Sequence, residues 1–110
     1  MEIFSRGDIL KNIYTKFQEF EKLYKERLKN LDGLNGDCKE YAELLAEFLI
    51  RKKYSPSILC LNRGIHYWVE VDGYSIDCRG VFKEREKLIK DFIKFTNKTR
   101  ISYIKSSITL

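Results

Sequence analysis

Several residue types and segments are scarce in this sequence, and each shortage narrows the class of protein. The chain of 110 residues has one histidine, one proline and three cysteines, and it contains no repeat or low-complexity tract. Because no run of about eighteen apolar residues occurs, we expect no membrane-spanning helix. Residues 1–5 lack the basic stretch and apolar core of a secretory signal, so we expect a cytoplasmic protein without membrane association.

The few cysteines and the single proline also limit how the chain is organised. Cys38, Cys60 and Cys78 cannot all pair and lie far apart in sequence, which is typical of free thiols in a reducing compartment. No linker-like segment divides the chain, and hydrophobic residues make up 44% of it. Residues 1–110 are therefore predicted to form a single domain around one core.

The formal net charge of +5 is concentrated in the C-terminal third of the chain. Residues 83–105 contain eight lysines or arginines against three acidic residues. Such an excess can attract nucleic acid or an acidic partner, but it more often marks the solvated face of a lysine-rich helix. Nucleic acid is therefore a less favoured partner than a peptide or protein.

Apolar residues at three- and four-residue steps predict helices at about residues 8–29, 38–52 and 83–95. The second of these begins at Cys38, which shares its inward face with Tyr41 and Ala42. Free backbone N–H groups and the positive end of the helix dipole favour a thiolate at such a position. Taken by itself, Cys38 is also consistent with a buried structural cysteine.

Between the second and third helices the apolar pattern changes to a period of two, which predicts strands. The predicted strands span residues 57–61, 65–71 and 74–78, and residues 99–104 form a final candidate strand. Asp72-Gly73 is a strong signal for a tight hairpin between the second and third strands. The predicted fold class is α+β, with helices packed on a small antiparallel sheet.

The hairpin brings a histidine and an aspartate together. Alternation places His66, Trp68 and Glu70 on one face, and a two-residue turn pairs Trp68 with Asp77. His66 and Asp77 are then diagonal neighbours, within reach of a hydrogen bond between imidazole and carboxylate. Because the chain has a single histidine, any imidazole that activates a thiol must belong to His66. Glu70 is the alternative acid on the same face.

The order of these residues resembles that of the transglutaminase-like cysteine peptidase superfamily. The resemblance covers about residues 35–80: Gly36-x-Cys38 before a helix with Tyr41-Ala42, then His66-x-Trp68-Val69-Glu70-Val71, then a strand that ends in Asp77. Three features differ from the common family pattern: Lys39 follows the cysteine, Cys78-Arg79 follows the aspartate, and the interval from Cys38 to His66 is short.

The resemblance implies a transglutaminase/papain-like core and acyl transfer through a Cys-His-Asp triad. Carried over by position, Cys38 is the nucleophile, His66 the general base and Asp77 the residue that orients the imidazole. Trp68 is expected to form a wall of the substrate pocket. Asn35 is a candidate oxyanion donor beside the Cys38 N–H, and Gly36 allows close approach of the chain. Hydrolysis of a peptide or protein amide, or of an ester, is the favoured reaction, with no cofactor and no metal.

Other functions fit parts of the same sequence. An amine in place of water would make the protein a transferase. A catalytically silent relative could bind peptide or nucleic acid through the same fold. Cys38, Cys60, His66 and Cys78 together have the composition of a Cys3His zinc site, although no Cys-x-x-Cys pair occurs.

Overall fold

The computed structural model describes residues 6–31, 37–96 and 108–109, and it confirms the α+β fold class. The helices are α1 (Arg6–Leu23), α2 (Lys25–Leu28), α3 (Cys38–Arg51) and α4 (Arg85–Thr96). The strands are β1 (Ser57–Leu61), β2 (His66–Val71), β3 (Tyr74–Asp77), β4 (Gly80–Phe82) and β5 (Ile108–Thr109).

The strands form one antiparallel sheet in the order β4-β3-β2-β1-β5. Asp72 and Gly73 connect β2 to β3 with φ angles of 51° and 85°. Positive φ at both central residues is the property of a type I′ turn, whose twist matches that of the two strands it joins. The turn sets the register Val71↔Tyr74, Glu70↔Ser75 and Val69↔Ile76, and this is the register from which Trp68 was predicted to lie opposite Asp77.

The predicted helices are confirmed with small shifts at their ends. A turn at Tyr24 divides the first predicted helix into α1 and the short α2. Helix α3 begins at Cys38 as predicted, and α4 begins at Arg85, two residues later than expected. Strand β4 was not predicted, because Gly80–Phe82 is too short to show an alternating pattern. The predicted strand at residues 99–104 lies outside the described residues.

The two faces of the sheet are covered by different helices. Buried side chains of α1 and α3 pack on the face of β2 and β3 that carries Val69, Val71, Tyr74 and Ile76. The face that carries Trp68, with Leu59 and Leu61, packs against α4. Helix α4 contributes four buried residues to this second core: Leu88, Ile89, Phe92 and Ile93. His66 and Asp77 lie on this side of the sheet, beneath α4.

None of the helices within the described ranges combines the length and apolarity needed to cross a bilayer.

Candidate active site

The candidate site is formed by the ends of three secondary-structure elements. Cys38 is the first residue of α3, His66 is the first residue of β2, and Asp77 is the last residue of β3. Because β2 and β3 are antiparallel, the start of one strand lies beside the end of the other. The hairpin therefore places His66 next to Asp77, and the start of α3 brings Cys38 to the same place.

His66 and Asp77 form a buried hydrogen-bonded pair. The distance from His66 Nε2 to Asp77 Oδ2 is 2.8 Å, and the side chains are 0% and 2% exposed. An ionised carboxylate can only accept hydrogen bonds. Nε2 therefore carries a proton and donates the hydrogen bond to Asp77. In the neutral form of the ring, the other nitrogen, Nδ1, then has its lone pair free to accept a proton.

The imidazole is held between two aromatic rings. The Phe92 ring stacks on His66 with centroids 4.2 Å apart and planes inclined by 10°. Trp68 lies on the same strand face with its centroid 6.2 Å from that of His66. These contacts fix the plane of the imidazole and exclude water from it.

Arg79 donates several hydrogen bonds to the carboxylate of Asp77, the same group that His66 binds. Its backbone N–H donates to Asp77 Oδ1 at 2.8 Å, and its Nε lies 3.1 Å from both carboxylate oxygens. Its Nη2 donates to Asp77 Oδ2 and, at 3.0 Å, to the carbonyl oxygen of Leu88 in α4. Burial raises the pKa of Asp77, but the hydrogen bonds from His66 and Arg79 outweigh burial and hold that pKa below its ordinary value. Asp77 is therefore an anion near neutral pH.

The second ring nitrogen of His66, Nδ1, is not used by Asp77. Among the described residues, Nδ1 has no hydrogen bond within ordinary geometric limits, and the ring interacts with Asp77 and Cys38. Burial lowers the pKa of His66, yet the hydrogen bonds and charges of Asp77 and Cys38 more than compensate and raise that pKa above its ordinary value. Because Asp77 occupies Nε2, we assign Nδ1 as the nitrogen that exchanges a proton with Cys38.

Cys38 is 5% exposed, and its environment favours the thiolate. Burial raises the pKa of Cys38, but His66 and the backbone N–H groups of Tyr67 and Lys39 together bring the pKa below its ordinary value. The Tyr67 amide is available for this role because of the hairpin register. Tyr67 would lie opposite Cys78, one residue beyond the end of β3, so its N–H lies outside the β2–β3 ladder.

The structure thus brings together Cys38, His66 and Asp77, and it places Trp68 differently from the pocket wall that was expected. Trp68 is 0% exposed because α4 covers its face of the sheet. It therefore supports the His66 ring from within the core rather than lining an open pocket. Asn35 and Gly36 lie outside the described residues.

The alternative acid, Glu70, has a different role from Asp77. Its carboxylate accepts hydrogen bonds from Trp68 Nε1 at 3.1 Å and from Ser75 Oγ at 2.9 Å. Arg85 also binds it, with Nε at 2.7 Å and Nη2 at 2.8 Å. Glu70 therefore connects β2 and β3 to the start of α4 through side-chain hydrogen bonds, and it does not bind His66.

Sequence reasoning missed three contributors to this site: Arg79, Phe92 and the Tyr67 amide. A basic residue two positions after the aspartate was the available signal for Arg79, since a side chain at i+2 can fold back onto a strand end. The interaction of Phe92 with His66 depends on which sheet face α4 covers. Such a choice is not encoded in the periodicity of a single helix.

The described residues include no cluster of three or more His, Cys, Asp or Glu side chains that could hold a metal ion. Cys38, Cys60, His66 and Cys78 all lie within the described ranges, where none of the three cysteines forms a disulfide. They do not assemble into the Cys3His site that their composition allows.

Comparison of the chain with protein-family models, with curated proteins and with solved structures gives no match. The likeness to transglutaminase-like peptidases therefore rests on the sequence motif, and the geometry of Cys38, His66 and Asp77 carries the functional argument.

Proposed function

We propose that this protein is a thiol-dependent acyl-transfer enzyme that hydrolyses an amide or ester, with Cys38 as nucleophile, His66 as general base and acid, and Asp77 as the residue that orients His66. The observation that carries this proposal is the buried hydrogen bond from His66 Nε2 to the ionised Asp77 carboxylate, which leaves Nδ1 as the base for the Cys38 thiol with which the ring interacts. A thiol beside a base that a third group orients is the usual arrangement of an activated nucleophile.

The reaction begins when His66 Nδ1 accepts the Cys38 proton and the thiolate attacks the carbonyl carbon of the acyl donor. A C–S bond forms, and the carbonyl oxygen becomes an oxyanion in the tetrahedral intermediate. As that intermediate collapses, the bond to the leaving amine or alcohol breaks and Nδ1–H donates its proton to the leaving group. The product is a Cys38 thioester.

Hydrolysis of the thioester uses the same groups in reverse. Nδ1 accepts a proton from water as its oxygen attacks the thioester carbonyl, and the proton returns to sulfur when the C–S bond breaks. Throughout both steps, Asp77 holds Nε2–H and stabilises the imidazolium. A primary amine in place of water would give transfer rather than hydrolysis.

A chromogenic ester tests this proposal without knowledge of the natural substrate. We expect p-nitrophenyl acetate to acetylate Cys38, detected by mass spectrometry, and to release p-nitrophenolate with turnover. Cys38→Ala should abolish both signals, whereas Cys60→Ala, which removes a half-buried thiol outside the site, should leave them unchanged. Adding n-butylamine tests the acceptor, because an amide product would indicate transfer. Acetylation that is spread evenly over the three cysteines would contradict the proposal.

A second candidate function is a silent binding module for an acidic ligand. A groove of about 550 Å³ between β4 and α4 is lined by Phe82, Lys87, Lys90, Asp91 and Lys94, an excess of positive charge. This function predicts salt-sensitive binding of an oligonucleotide or acidic peptide that survives Cys38→Ala. Such binding, together with the absence of any Cys38 acyl adduct, would favour the binding module.

A further inference from the structure

The proposed nucleophile requires several charges to exist together in a buried site. In the reactive state, Cys38 and Asp77 are anions and His66 is a cation, so these three residues carry a net charge of −1. All three are nearly inaccessible, with 5%, 2% and 0% exposure. An uncompensated charge in such a place is costly, because water cannot solvate it. The site therefore needs one more cation.

Within the part of the chain that the structure describes, Arg79 is the cation that donates hydrogen bonds to this cluster. Its side chain is 14% exposed, and its guanidinium contacts both oxygens of Asp77. With Arg79 included, the reactive state of the cluster is neutral. The guanidinium is itself held in place, since Leu88 O accepts from Nη2 and the Phe82 ring lies 5.1 Å from its central carbon.

We propose that Arg79 is a positioning residue of the active site, which fixes the Asp77 carboxylate toward His66 and supplies the positive charge that allows the Cys38 thiolate and the His66 imidazolium to coexist. This inference rests on the proposed function. It assigns a role to a position where the sequence departs from the transglutaminase-like pattern, and it links the reactive thiol to α4 through Asp77 and Leu88.

The geometry favours this role over that of a simple structural clamp. Arg79 contacts Asp77 through its backbone N–H, Nε and Nη2, which restricts the carboxylate to one plane. One lone pair of Oδ2 then remains directed at His66 Nε2. A clamp that served only to join β3 to α4 would not need to share this oxygen with the imidazole.

Other titratable groups near the cluster do not replace Arg79. Asp91 of α4 lies 3.7 Å from Arg79 Nη1, but its side chain is 57% exposed and water screens its charge. Tyr41 of α3 is buried with a raised pKa, and Asp77 and Cys78 are among the groups that interact with it. A neutral phenol adds no charge, so Arg79 is the cation that balances the site.

The direction of the effect follows from the charge count. Removing the charge of Arg79 leaves the thiolate state with an uncompensated negative charge, whereas the state with a neutral thiol and an imidazolium becomes neutral. The pKa of Cys38 should therefore rise in Arg79→Gln. Lysine at the same position keeps the charge but loses the bidentate contact.

The test is the rate of Cys38 alkylation by iodoacetamide as a function of pH, followed by mass spectrometry of the folded protein. We expect a reactive step below the ordinary thiol pKa of about 8.5 in the unmodified protein. In Arg79→Gln that step should move to higher pH, and the rate near pH 6 should fall roughly tenfold or more. Arg63→Gln, the same change at an exposed turn, should leave the profile unchanged.

The Arg79→Lys variant distinguishes the effect of the positive charge on Cys38 from the effect of the guanidinium hydrogen bonds on stability. We expect this variant to lose thermal stability because of its missing hydrogen bonds, but to keep the alkylation step close to its original pH. If Arg79→Gln does not fold, a step in folded Arg79→Lys near the ordinary thiol pKa overturns the inference. An unchanged step in folded Arg79→Gln also overturns it, while the proposed function stands. Absence of a low-pH step in the unmodified protein would instead contradict the proposed function.

Discussion

The phenyl ring of Phe92 lies flat on the imidazole of His66, with centroids 4.2 Å apart and planes 10° from parallel. The stacking connects the hydrophobic core beneath α4 directly to the proposed general base. Phe92 is itself buried in that core with Leu88 and Trp68. Packing of α4 therefore determines how firmly the imidazole is held.

Replacing Phe92 should affect reactivity and stability together. We expect Phe92→Ala to lower the free energy of unfolding by about 3–5 kcal/mol, because it leaves a cavity in the core. Phe92→Leu should cost less, so its labelling can be measured in the folded state. Its Cys38 labelling rate should still fall, because the aliphatic side chain no longer aligns the imidazole.

The measurements are urea unfolding and iodoacetamide labelling, with Ile89→Val as a core control. Unchanged labelling in Phe92→Leu would show that stacking does not orient His66.

Asp77→Asn should leave the fold largely intact and reduce Cys38-dependent activity by a few orders of magnitude. In serine proteases the same change lowers turnover by about 10⁴, because the histidine adopts the wrong tautomer. A thiol needs less help to ionise, so the loss here should be smaller.

The control for Asp77→Asn is Glu70→Gln, the same chemical change at the neighbouring acid. Glu70 contacts Trp68 and Arg85 and not His66, so this variant should keep its Cys38 activity. A harmless Asp77→Asn beside a damaging Glu70→Gln would identify Glu70 as the orienting acid.

Loss of the Glu70 carboxylate altogether should destabilise the protein. In Glu70→Ala the buried N–H of Trp68 loses its acceptor, which should cost roughly 1–3 kcal/mol of unfolding free energy. Glu43→Ala, at an exposed position of α3, should change stability by no more than about 0.5 kcal/mol. Equal effects of the two substitutions in urea titrations would mean that the Glu70 network contributes nothing to stability.

The shifted pKa values also predict how stability depends on pH. Folding raises the pKa of His66, so its contribution is complete below the ordinary value of about 6.5 and is lost as pH rises through the folded value. Folding lowers the pKa of Asp77, so its contribution is complete above about 3.9 and is lost as pH falls through the folded value. Both contributions are present between about pH 4 and pH 6.5.

Cys38→Ser allows this prediction to be measured, because it removes the coupled thiol and keeps the pair of His66 with Asp77. We expect its unfolding free energy to be lower near pH 8 than near pH 5.5. In the double variant that also carries His66→Gln, the difference in unfolding free energy between pH 5.5 and pH 8 should be smaller. All other titratable groups are the same in the single and the double variant. A free energy of unfolding in Cys38→Ser that increases from pH 5.5 to pH 8, relative to the double variant, would show that Asp77 alone does not raise the pKa of His66.

Much of the fold could be predicted from the sequence because its signals are local. Asp72-Gly73 determines the turn, the turn determines the register, and the register places His66 diagonal to Asp77. The start of α3 at Cys38 follows equally from a change in periodicity. These predictions needed no knowledge of tertiary packing.

The features that could not be predicted depend on contacts between distant segments. Alternation placed Trp68 correctly beside His66, but it does not reveal that α4 covers this face as well. Arg79 follows β3 in a short connection, where no periodic pattern predicts the direction of a side chain. The short β4 forms because β3 offers it a partner, with Gly80 opposite Asp77.

Competitive labelling of the three cysteines tests the central claim most directly. Limiting iodoacetamide near pH 6, followed by peptide mass spectrometry, ranks the thiols within one folded sample. We predict that Cys38 reacts fastest, and that His66→Gln removes its advantage without unfolding the chain. Labelling of Cys38 that is no faster than that of Cys60 and Cys78 would contradict the assignment of Cys38 as the nucleophile.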